Sequence, residues 1–383
     1  MASKYAHTFL KPQGPGDARP TAMQIIEDNN LKDKLHDKVI LITGCSSGLG
    51  VATAQALSTT GATLYLTARN LKKAETALGD LAKQPKVHLL ELDLNSLASV
   101  RAAAKNFLSQ SSQLHILINN AGVMAAPEGR TEDGFETQFG TNHLAHFLLF
   151  NLLKPALLAS STPEFSSRVV NVSSMAHRAM EVNFDNLRLE GIYEPWMAYG
   201  QSKTANIWMA NELNRRYGSQ GLHAFSLHPG GIRTGIQQYI SAEQKAAWEQ
   251  SGSIDNIWQS PEQGAATTVW AAVAKELEGK GGKYLEDCQV IGLYDPATGC
   301  AGQGHASWAY DAAKEAKLWE VSSTLEDTVD LPLLGPNMKK ACEYVPWGTN
   351  IWKSTLGPEG DRGEKSGKDA VNVKPTMDKV EAY

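Results

Sequence analysis

The chain has 383 residues, and with 42% hydrophobic against 20% charged residues it can bury the core of one large globular domain or two ordinary ones. Its formal net charge is −5 and its basic residues are interspersed with acidic ones, which excludes the basic stripe of a nucleic-acid-binding protein and predicts no nucleic-acid partner. No apolar run approaches the ~18 residues of a membrane-spanning helix, and the N-terminal stretch lacks a signal-peptide core, so we expect a cytoplasmic protein with no integral membrane segment.

Three regions follow one another along the chain. Residues 1–36 form an N-terminal extension that is rich in proline and glycine at first and helix-like at "TAMQIIEDNNLKDKL". Residues 37–320 carry a regular alternation of strand-like and helix-like segments. Residues 321–383 form a C-terminal extension whose end is polar and poor in aromatic residues, so we expect part of it to be disordered.

In the central region, short β-branched runs alternate with longer helical patterns. Such an alternation is typical of βαβ units, whose parallel sheet is covered by helices on both faces. The sequence therefore predicts the α/β class with a doubly wound parallel sheet. The strand-like runs are, in order, "KVILITG", "TLYLTAR", "VHLLELDL", "LHILINNAG", "RVVNVSS" and "LHAFSLHPG".

A glycine-rich turn follows the first predicted strand. In "TGCSSGLG", Gly44, Gly48 and Gly50 are spaced G-x-x-x-G-x-G and lead directly into a helix. Glycine lets the backbone turn tightly and approach a diphosphate, and the start of the helix offers free N–H groups and the positive end of its dipole. The turn predicts a dinucleotide site, and a purely structural turn is the alternative.

The end of the second predicted strand bears on the choice of cofactor. NAD is usually held there by an acidic residue, whereas the 2′-phosphate of NADP needs a cation. The strand ends in "LYLTARN", with Ala68 and Arg69 and no carboxylate, so NADP is the predicted cofactor; the alternative is that Arg69 is a solvated strand-end residue.

Asp93, ending the third strand, can accept from an adenine amino group or cap the next helix. "NNAG", residues 119–122, ends the fourth strand and allows close approach to a ribose.

Tyr199 and Lys203 in "YGQSK" are four residues apart, so on a helix the phenol and the ammonium project to the same side. A lysine and a positive nicotinamide ring both favour the phenolate, so such a tyrosine can exchange a proton with a carbonyl or alcohol oxygen; the alternative is an ordinary surface pair.

Ser174, ending "VVNVSS", can hold the substrate oxygen or cap a helix. Asn142, in the apolar "TNHLAHFLL", is a catalytic amide or a satisfied core amide.

Together these motifs resemble the short-chain dehydrogenase/reductase family, since "TGCSSGLG", "NNAG", "TNHLAHFLL", "VNVSS", "YGQSK" and "HPGGIRT" occur in the family's order. The resemblance implies a single Rossmann-type domain that binds NAD or NADP. It assigns the proton exchange to Tyr199 and polarisation of the carbonyl to Ser174. It also implies that Lys203 lowers the tyrosine pKa and holds the nicotinamide ribose, and that Asn142 positions a proton-relay water.

The resemblance also implies which residues contact the cofactor. They lie in the glycine turn, at the ends of strands two to four, on the YGQSK helix and in "HPGGIRT". These residues are Gly44, Ser46, Ser47, Gly48, Leu49, Gly50, Arg69, Asp93, Asn119, Ala121, Gly122, Tyr199, Lys203, Pro229, Gly230, Ile232 and Thr234.

Within the family, "HLAHFLL", "SSMAHR" and "GGKYLEDC" look most like the branch of retinol-dehydrogenase-like and WW-domain-oxidoreductase-like proteins. The chain differs from membrane-bound retinol dehydrogenases in having no N-terminal anchor, which argues against a membrane-delivered substrate. The family's oligomers commonly pair the helices equivalent to those of Asn142 and Tyr199. The resemblance therefore implies a homo-oligomer.

The expected function is that of an NADP-dependent oxidoreductase, which transfers a hydride between the nicotinamide and a carbonyl or secondary alcohol of a small-molecule substrate. Two alternatives remain: a non-catalytic dinucleotide-binding scaffold, and another chemistry at the same site such as epimerisation. Segments 175–198 and 231–260 should form the substrate wall and favour an apolar substrate, although ordinary lid packing explains them equally. Their candidate lining residues are Met175, Met180, Tyr193, Trp196, Met197, Tyr239, Trp248 and Trp258.

The four cysteines are far apart in the sequence. Neither a C-x-x-C pair nor a cluster of histidines accompanies them, so the pattern supports neither a disulfide framework nor a zinc site. We expect reduced thiols and no metal at these positions, which are Cys45, Cys288, Cys300 and Cys342.

Overall fold

The strands of the protein are short and apolar, as the sequence predicts. The computed structural model describes residues 3–250, 255–299 and 301–329, and these contain ten strands. The strands are β1 Val39–Thr43, β2 Thr63–Ala68, β3 Val87–Glu91, β4 Ile116–Asn119, β5 Ser167–Val172, β6 Leu222–His228, β7 Gly231–Ile232, β8 Trp258–Gln259, β9 Lys283–Glu286 and β10 Gln289–Val290.

Eight of these strands form one sheet in the order β10-β9-β6-β5-β4-β1-β2-β3, and only β9 and β10 pair antiparallel in it. The chain runs from β1 outward to β3 and then crosses back to form β4 on the other side of β1, so Ile40 pairs with both Leu64 and Ile116. The helical connections that follow β1 and β4 therefore leave in opposite directions. In open α/β sheets, the ligand crevice lies at the carboxyl ends of the strands where this reversal occurs.

Helices cover both faces of the sheet, so the fold is the predicted doubly wound, Rossmann-type α/β fold. A π-helical turn, Gly140–Leu144, joins the short α5 to α6. The helices are α1 Ala22–Asp28, α2 Gly48–Ser58, α3 Leu71–Leu78, α4 Leu97–Gln110, α5 Thr137–Phe139, α6 Ala145–Ser160, α7 Pro195–Tyr217, α8 Ala242–Gln250, α9 Pro261–Gly264, α10 Ala266–Val273 and α11 Ala312–Val329.

The sheet separates two hydrophobic cores. Successive strand residues point to opposite faces, so Ile40 and Ile42 join the core under α1, α2 and α10, whereas Val39 and Leu41 join the core under α4, α6 and α7. All five residues of β1 are buried. Near-continuous apolar strands of this kind are required in a parallel sheet that is covered on both faces.

The N-terminal region packs against the first core. α1 buries Ile25 and Ile26 completely, beside α2 and α10. Arg19, which is 4% exposed, pairs with Asp17 and donates to main-chain carbonyls of residues 256–258. These partners offset the cost of burying a guanidinium, and they fasten the residues before α1 to the β8 strand.

α11 packs across α6 and α7 and spans the predicted boundary at residue 320. The ring of Trp319 meets those of Phe147 and Phe150 edge-on, at centroid distances of 4.8 and 5.9 Å. His143 Nε2 forms a buried hydrogen bond of 2.9 Å with Ser322 Oγ. The chain's own helix therefore covers the face that the resemblance assigns to a subunit interface. The polar end of the C-terminal extension, whose disorder the sequence predicts, lies outside the described residues.

Two of the four cysteines lie in the described part of the chain. Cys45 and Cys288 are buried free thiols, and burial raises the pKa of both, which makes them unreactive core residues. Cys300 and Cys342 lie outside the described residues. Within the described ranges, no group of histidine, cysteine and acidic residues is arranged to hold a metal ion. None of the helices in these ranges combines the length and the apolar character needed to cross a bilayer.

Candidate active site

The catalytic candidates meet at the carboxyl end of β5, next to the crevice. Ser174 lies two residues beyond that strand, Tyr199 and Lys203 lie on α7, and Asn142 lies in the π-helical turn before α6. Tyr199 is 4% exposed, Lys203 2% and Asn142 0%. The pair in "YGQSK" is therefore buried, which removes the alternative of an ordinary surface pair.

Ser174 begins a short 3-10 turn and presents its hydroxyl to the tyrosine. Its Oγ accepts a hydrogen bond of 3.1 Å from the Ala176 N–H, and its side chain also hydrogen bonds with that of Tyr199. A serine hydroxyl has one proton to donate. With Ala176 engaged on the acceptor side, that proton is directed at the phenol oxygen or at a substrate oxygen beside it.

Burial raises the pKa of Tyr199 to about 12, because it disfavours the phenolate, and the hydrogen bond from Ser174 acts in the opposite direction. This direction is opposite to the lowered pKa that the resemblance implies. A phenol with such a pKa is protonated at neutral pH. It is therefore poised as a proton donor, which is the form that carbonyl reduction requires.

Lys203 is held against the end of β5. Its Nζ donates to the Val172 carbonyl at 2.9 Å and lies 5.4 Å from the centre of the Tyr199 ring. Its main-chain carbonyl accepts from Ser173 Oγ at 2.7 Å. Burial lowers the pKa of Lys203 to about 7. The charge of this side chain is therefore poised near neutral pH, and an anionic or strongly dipolar group bound beside it would favour the ammonium.

The Asn142 amide joins the strand-β4 loop to α7. Its Oδ1 accepts from the Val123 N–H at 2.8 Å, while its Nδ2 donates to the Val123 carbonyl and to Ser202 Oγ, each at 2.9 Å. Ser202 Oγ in turn donates to the Tyr199 carbonyl at 2.8 Å. The amide is thus satisfied as a core amide, and it connects α7 to the loop that follows β4. Its positioning of a proton-relay water stays a prediction.

A second buried series of hydrogen bonds runs from the π-helical turn that carries Asn142 to Thr43, just before the glycine turn. The Asn142 carbonyl must accept, so His146 Nδ1 carries the proton of their 3.1 Å hydrogen bond, and Nε2 accepts from Thr43 Oγ1 at 2.9 Å. Thr43 Oγ1 accepts from the Asn120 and Ala121 N–H groups, each at 3.0 Å. The ends of β1 and β4 are therefore fixed relative to α7.

The glycine turn has the geometry that a bound dinucleotide requires. Gly44 and Gly48 adopt φ angles of +79° and +58°, and a Cβ on Gly50 would lie 2.2 Å from the Gly44 carbonyl oxygen. α2 begins at Gly48, and the Ser47 side chain makes no capping hydrogen bond to it. The N–H groups at the start of α2 are thus free of that side chain, and a diphosphate fits this turn.

Other predicted contact segments converge on the same crevice. A Cβ on Gly48 would lie 3.0 Å from Thr234 Cγ2, and a Cβ on Gly122 would lie 3.5 Å from Lys203 Nζ. The "HPGGIRT" loop therefore reaches the glycine turn, and the end of "NNAG" reaches Lys203. Ser46, Leu49, Ala121, Pro229 and Gly230 are half-buried along these segments.

Two predicted contacts have side chains occupied inside the protein. Asn119 is buried, and its Nδ2 donates to Asn171 Oδ1 at 2.8 Å. Ile232 is 8% exposed and packs beside Gly264. Asn119 Oδ1 has no hydrogen-bond partner among the described residues, and both residues remain predicted cofactor contacts.

At the adenosine end of the crevice, Arg69 is exposed at the end of β2. Asp93 Oδ1 accepts from the Asn95 N–H at 2.9 Å, whereas the first N–H of α4 donates to Asp133 Oδ2 at 2.8 Å. The residue that accepts from the first N–H of α4 is therefore Asp133, whereas helix capping was an alternative role predicted for Asp93 from the sequence. Arg69 and Asp93 remain predicted cofactor contacts.

The predicted substrate wall divides into anchored and exposed residues. The Trp196 ring lies edge-on to the Tyr199 ring at a centroid distance of 6.2 Å. The Tyr193 hydroxyl donates to the Ala126 carbonyl at 2.9 Å, so it serves packing. Met197 and Tyr239 are 38% and 46% exposed. Met175, Met180 and Trp258 are half-buried, and the Trp248 side chain lies outside the described residues.

Three residues make hydrogen bonds to Asn142 or Ser174 but were not predicted from the sequence, namely Ser202, His146 and His177. All three lie inside motifs that the resemblance used: "YGQSK", "TNHLAHFLL" and "SSMAHR". The signal that could have found them is their polarity at positions that face the core, since a buried hydroxyl or imidazole must have hydrogen-bond partners.

Comparisons with known proteins agree with this geometry. A family model described as short chain dehydrogenase matches residues 38–245. The short-chain dehydrogenase/reductase prx1 of Penicillium roqueforti is 53% identical over 319 residues, covering 83% of this chain and 94% of that protein. Human retinol dehydrogenase 11 is 36% identical, with 78% of this chain and 88% of that protein covered. The solved active-site complex of Pseudomonas aeruginosa RhlG with NADP is 26% identical, with a TM-score of 0.55 over 67% of this chain and 96% of that one.

A doubly wound sheet whose crevice brings a glycine turn to a buried tyrosine and lysine defines an oxidoreductase of the dinucleotide-dependent class. Residues 38–245 match the family model, and relatives align over most of the chain. The chain belongs to the short-chain dehydrogenase/reductase family, which confirms the resemblance, and retinol dehydrogenases are among its relatives.

Proposed function

We propose that the protein is an NADP-dependent oxidoreductase that transfers a hydride between the nicotinamide and a carbonyl or secondary alcohol of a small apolar substrate. The observation that carries this proposal is that the buried Tyr199 and Lys203 side chains lie together with the half-buried Ser174 hydroxyl at the crevice. A scaffold that only binds a dinucleotide has no need to bury a phenol and an amine beside a serine hydroxyl.

In the direction of reduction, the carbonyl carbon would accept the hydride that NADPH supplies when it is bound. The Ser174 hydroxyl donates a hydrogen bond to the carbonyl oxygen, and the neutral Tyr199 phenol gives its proton to that oxygen as negative charge develops there. Lys203 holds its place through the Val172 carbonyl and, in the charged form, stabilises the phenolate that remains. In the reverse direction, Tyr199 must first lose its proton.

The decisive experiment is a panel of aldehydes, ketones and alcohols, followed through the absorbance of the reduced nicotinamide with NADPH and NADH in parallel. Turnover with a carbonyl supports the proposal. Binding of NADPH without any oxidation across the panel favours the scaffold. Epimerisation would appear as product formation without net consumption of reduced cofactor, so the products are also analysed.

The preference for NADP rests on the exposed Arg69 at the end of β2, which can pair with the 2′-phosphate. The solved RhlG complex contains NADP, which supports the same choice. Ala68 is only 3% exposed and belongs to the core under α1, so a carboxylate introduced there would be buried at a cost. Arg69 is therefore the position to change.

Arg69→Gln should weaken NADPH binding by roughly ten- to hundredfold, because a hydrogen bond to a charged group is lost, and should leave NADH binding unchanged. Fluorescence titration with each cofactor measures this. Lys73→Gln removes the same charge from an exposed position on α3 and is the matched control. Equal loss for both variants would show that overall charge, and not a contact with Arg69, sets the affinity.

An apolar substrate is favoured by the exposed apolar side chains of segments 175–198 and 231–260, since Ile192 is 54%, Met197 38% and Tyr239 46% exposed. By its name, the relative retinol dehydrogenase 11 acts on retinol, which is an apolar alcohol. The substrate panel should therefore show kcat/KM rising with the apolar area of the carbonyl compound. A preference for small charged carbonyls would contradict this assignment.

The state of assembly is tested separately. The apolar face of α6 and α7 is covered by α11, so a dimer through that face would require α11 to leave. We expect sedimentation at micromolar concentration to give the mass of one chain. A concentration-independent dimer would show that this protein pairs through another face or with α11 displaced.

A further inference from the structure

His177, the histidine of "SSMAHR", is completely buried three residues beyond Ser174. Its Nδ1 lies 2.6 Å from the Ser174 carbonyl oxygen, and its Nε2 lies 3.0 Å from the Ala306 nitrogen. The Ala306 N–H can only donate and the Ser174 carbonyl can only accept. The imidazole must therefore be neutral, with its proton on Nδ1 and its lone pair on Nε2. Burial lowers the pKa of His177 to about 3, which favours the same neutral form.

The main-chain carbonyl of His177 is also hydrogen-bonded. This carbonyl accepts from Trp308 Nε1 at 3.2 Å and lies 3.0 Å from Thr204 Oγ1, whose single proton is shared with the Met180 carbonyl at 2.7 Å. Thr204 follows Lys203 directly on α7, the helix that also carries Tyr199. His177 thus connects the turn that bears the catalytic serine, the helix that bears the catalytic tyrosine, and the segment 302–308.

The segment 302–308 is itself fixed by both motifs that mark the retinol-dehydrogenase-like branch. From "SSMAHR", Arg178 Nη1 donates to the Gly302 carbonyl at 2.8 Å. From "GGKYLEDC", Glu286 Oε2 accepts from the Gly304 N–H at 3.0 Å, and the Tyr284 ring lies 4.9 Å from the imidazole of His177. The support behind His177 is therefore a packed, hydrogen-bonded surface.

The two polar groups of Ser174 are held separately: residue 177 binds its carbonyl, and the Ala176 N–H and the Tyr199 side chain bind its hydroxyl. Its Oγ must direct one proton at the substrate oxygen, and a displacement of about 1 Å at a reacting group can cost on the order of 10²-fold in rate. Its carbonyl accepts a hydrogen bond from the His177 ring and another, at 3.1 Å, from the His177 main-chain N–H, so residue 177 supplies both of these bonds.

We propose that His177 is a positioning residue that holds the catalytic Ser174 by a hydrogen bond from Nδ1 to its carbonyl, with Ala306 fixing the ring from behind. This inference rests on the proposed function, because the serine must act on a substrate oxygen for its position to matter. His177 itself touches neither the phenol nor the substrate.

The two hydrogen bonds of the His177 ring, to the Ser174 carbonyl and from the Ala306 N–H, form a bridge. Two amide substitutions each keep one of these bonds and remove the other. The amide nitrogen of asparagine stands near the place of Nδ1, and the amide oxygen of glutamine stands near the place of Nε2. His177→Asn therefore keeps a donor to the Ser174 carbonyl and loses the acceptor for Ala306. His177→Gln keeps the acceptor for Ala306 and loses the donor to Ser174. Trp308→Phe is the control, because it removes one donor to the His177 carbonyl and leaves the ring bridge intact.

We expect His177→Gln to lower kcat by on the order of 10²-fold with an unchanged Kd for NADPH, and His177→Asn to retain kcat within about tenfold of the unmodified protein. The hydrogen bond from Ser174 lowers the Tyr199 pKa, so its misplacement should move the pH profile of alcohol oxidation to higher pH in His177→Gln only. Trp308→Phe should lower thermal stability without moving the profile. Equal losses of kcat in both His177 variants, or an unmoved profile in His177→Gln, would overturn the proposal.

The tautomer of the His177 imidazole can be measured without an activity assay. Long-range ¹H–¹⁵N spectra should contain one imidazole, absent from both His177 variants, whose Nδ1 is protonated and whose Nε2 is not, unchanged between about pH 5 and pH 9. A titrating signal, or the opposite tautomer, would overturn the bridge itself. If the unmodified protein turns over no substrate, the proposed function fails and the role of the bridge in catalysis fails with it, whereas the spectrum still decides whether the bridge exists.

Discussion

Tyr199→Phe should lower kcat by on the order of 10²–10⁴ and leave NADPH affinity nearly unchanged. The substitution removes only the phenolic oxygen, which exchanges the proton, while the ring keeps its packing against Trp196 and its place above Lys203. Single-turnover oxidation of NADPH with the best carbonyl of the panel measures the chemical step. Fluorescence titration of the same sample measures cofactor binding.

Trp196→Phe is the matched control for this variant. It changes an aromatic ring that contacts the same phenol but removes no group that exchanges a proton, so it should change KM more than kcat. Retention of more than about a tenth of kcat in Tyr199→Phe would mean that the phenol is not the general acid. The reaction would then need another proton donor, and Ser174 is the next hydroxyl in contact with the site.

The sequence predicts the fold and the composition of the site because both depend on local, periodic signals. Gly44 and Gly48 have positive φ angles that few other residues tolerate, so they are recognisable without any knowledge of the rest of the chain. Tyr199 and Lys203 meet because they are one helical turn apart. The alternation of strands and helices gives the doubly wound sheet in the same way.

The remaining features depend on contacts between residues that are distant in sequence. The direction of the Tyr199 pKa follows from how many atoms exclude water from the ring, and no spacing in "YGQSK" encodes that. The Trp319 contacts with Phe147 and Phe150 join residues far apart in the chain, so the covered face of α6 was not predicted from the sequence. The same is true of the contact between His177 and Ala306.

Lys203→Met should remove activity and weaken NADPH binding, yet make the folded protein more stable at neutral pH. The amine is proposed to hold the nicotinamide ribose and to stabilise the Tyr199 phenolate, so both kcat and cofactor affinity should fall. The stability argument comes from burial, which lowers the pKa of Lys203 from 10.5 to about 7. The Val172 carbonyl keeps a second donor, Asn206 Nδ2 at 3.3 Å, after the lysine is replaced.

The sign of the pH dependence follows from the two pKa values of the lysine. Between pH 7 and 10.5 the unfolded chain binds a proton that the folded protein does not, so the unmodified protein gains stability as pH rises through this window. Below pH 7 the full cost of burying the charge is present. Methionine carries no such cost, so the variant should be more stable by on the order of a few kcal/mol at pH 7, and the difference should shrink toward pH 10.

Urea denaturation of both proteins at about pH 7 and about pH 10 measures this difference, and Lys73→Met, an exposed substitution on α3, should show none at either pH. A variant that is less stable at both pH values would mean that Lys203 contributes more through its hydrogen bond to Val172 than its burial costs. If the variant is more stable but inactive, the protein keeps a destabilising buried amine at a place where only catalysis and cofactor binding require one.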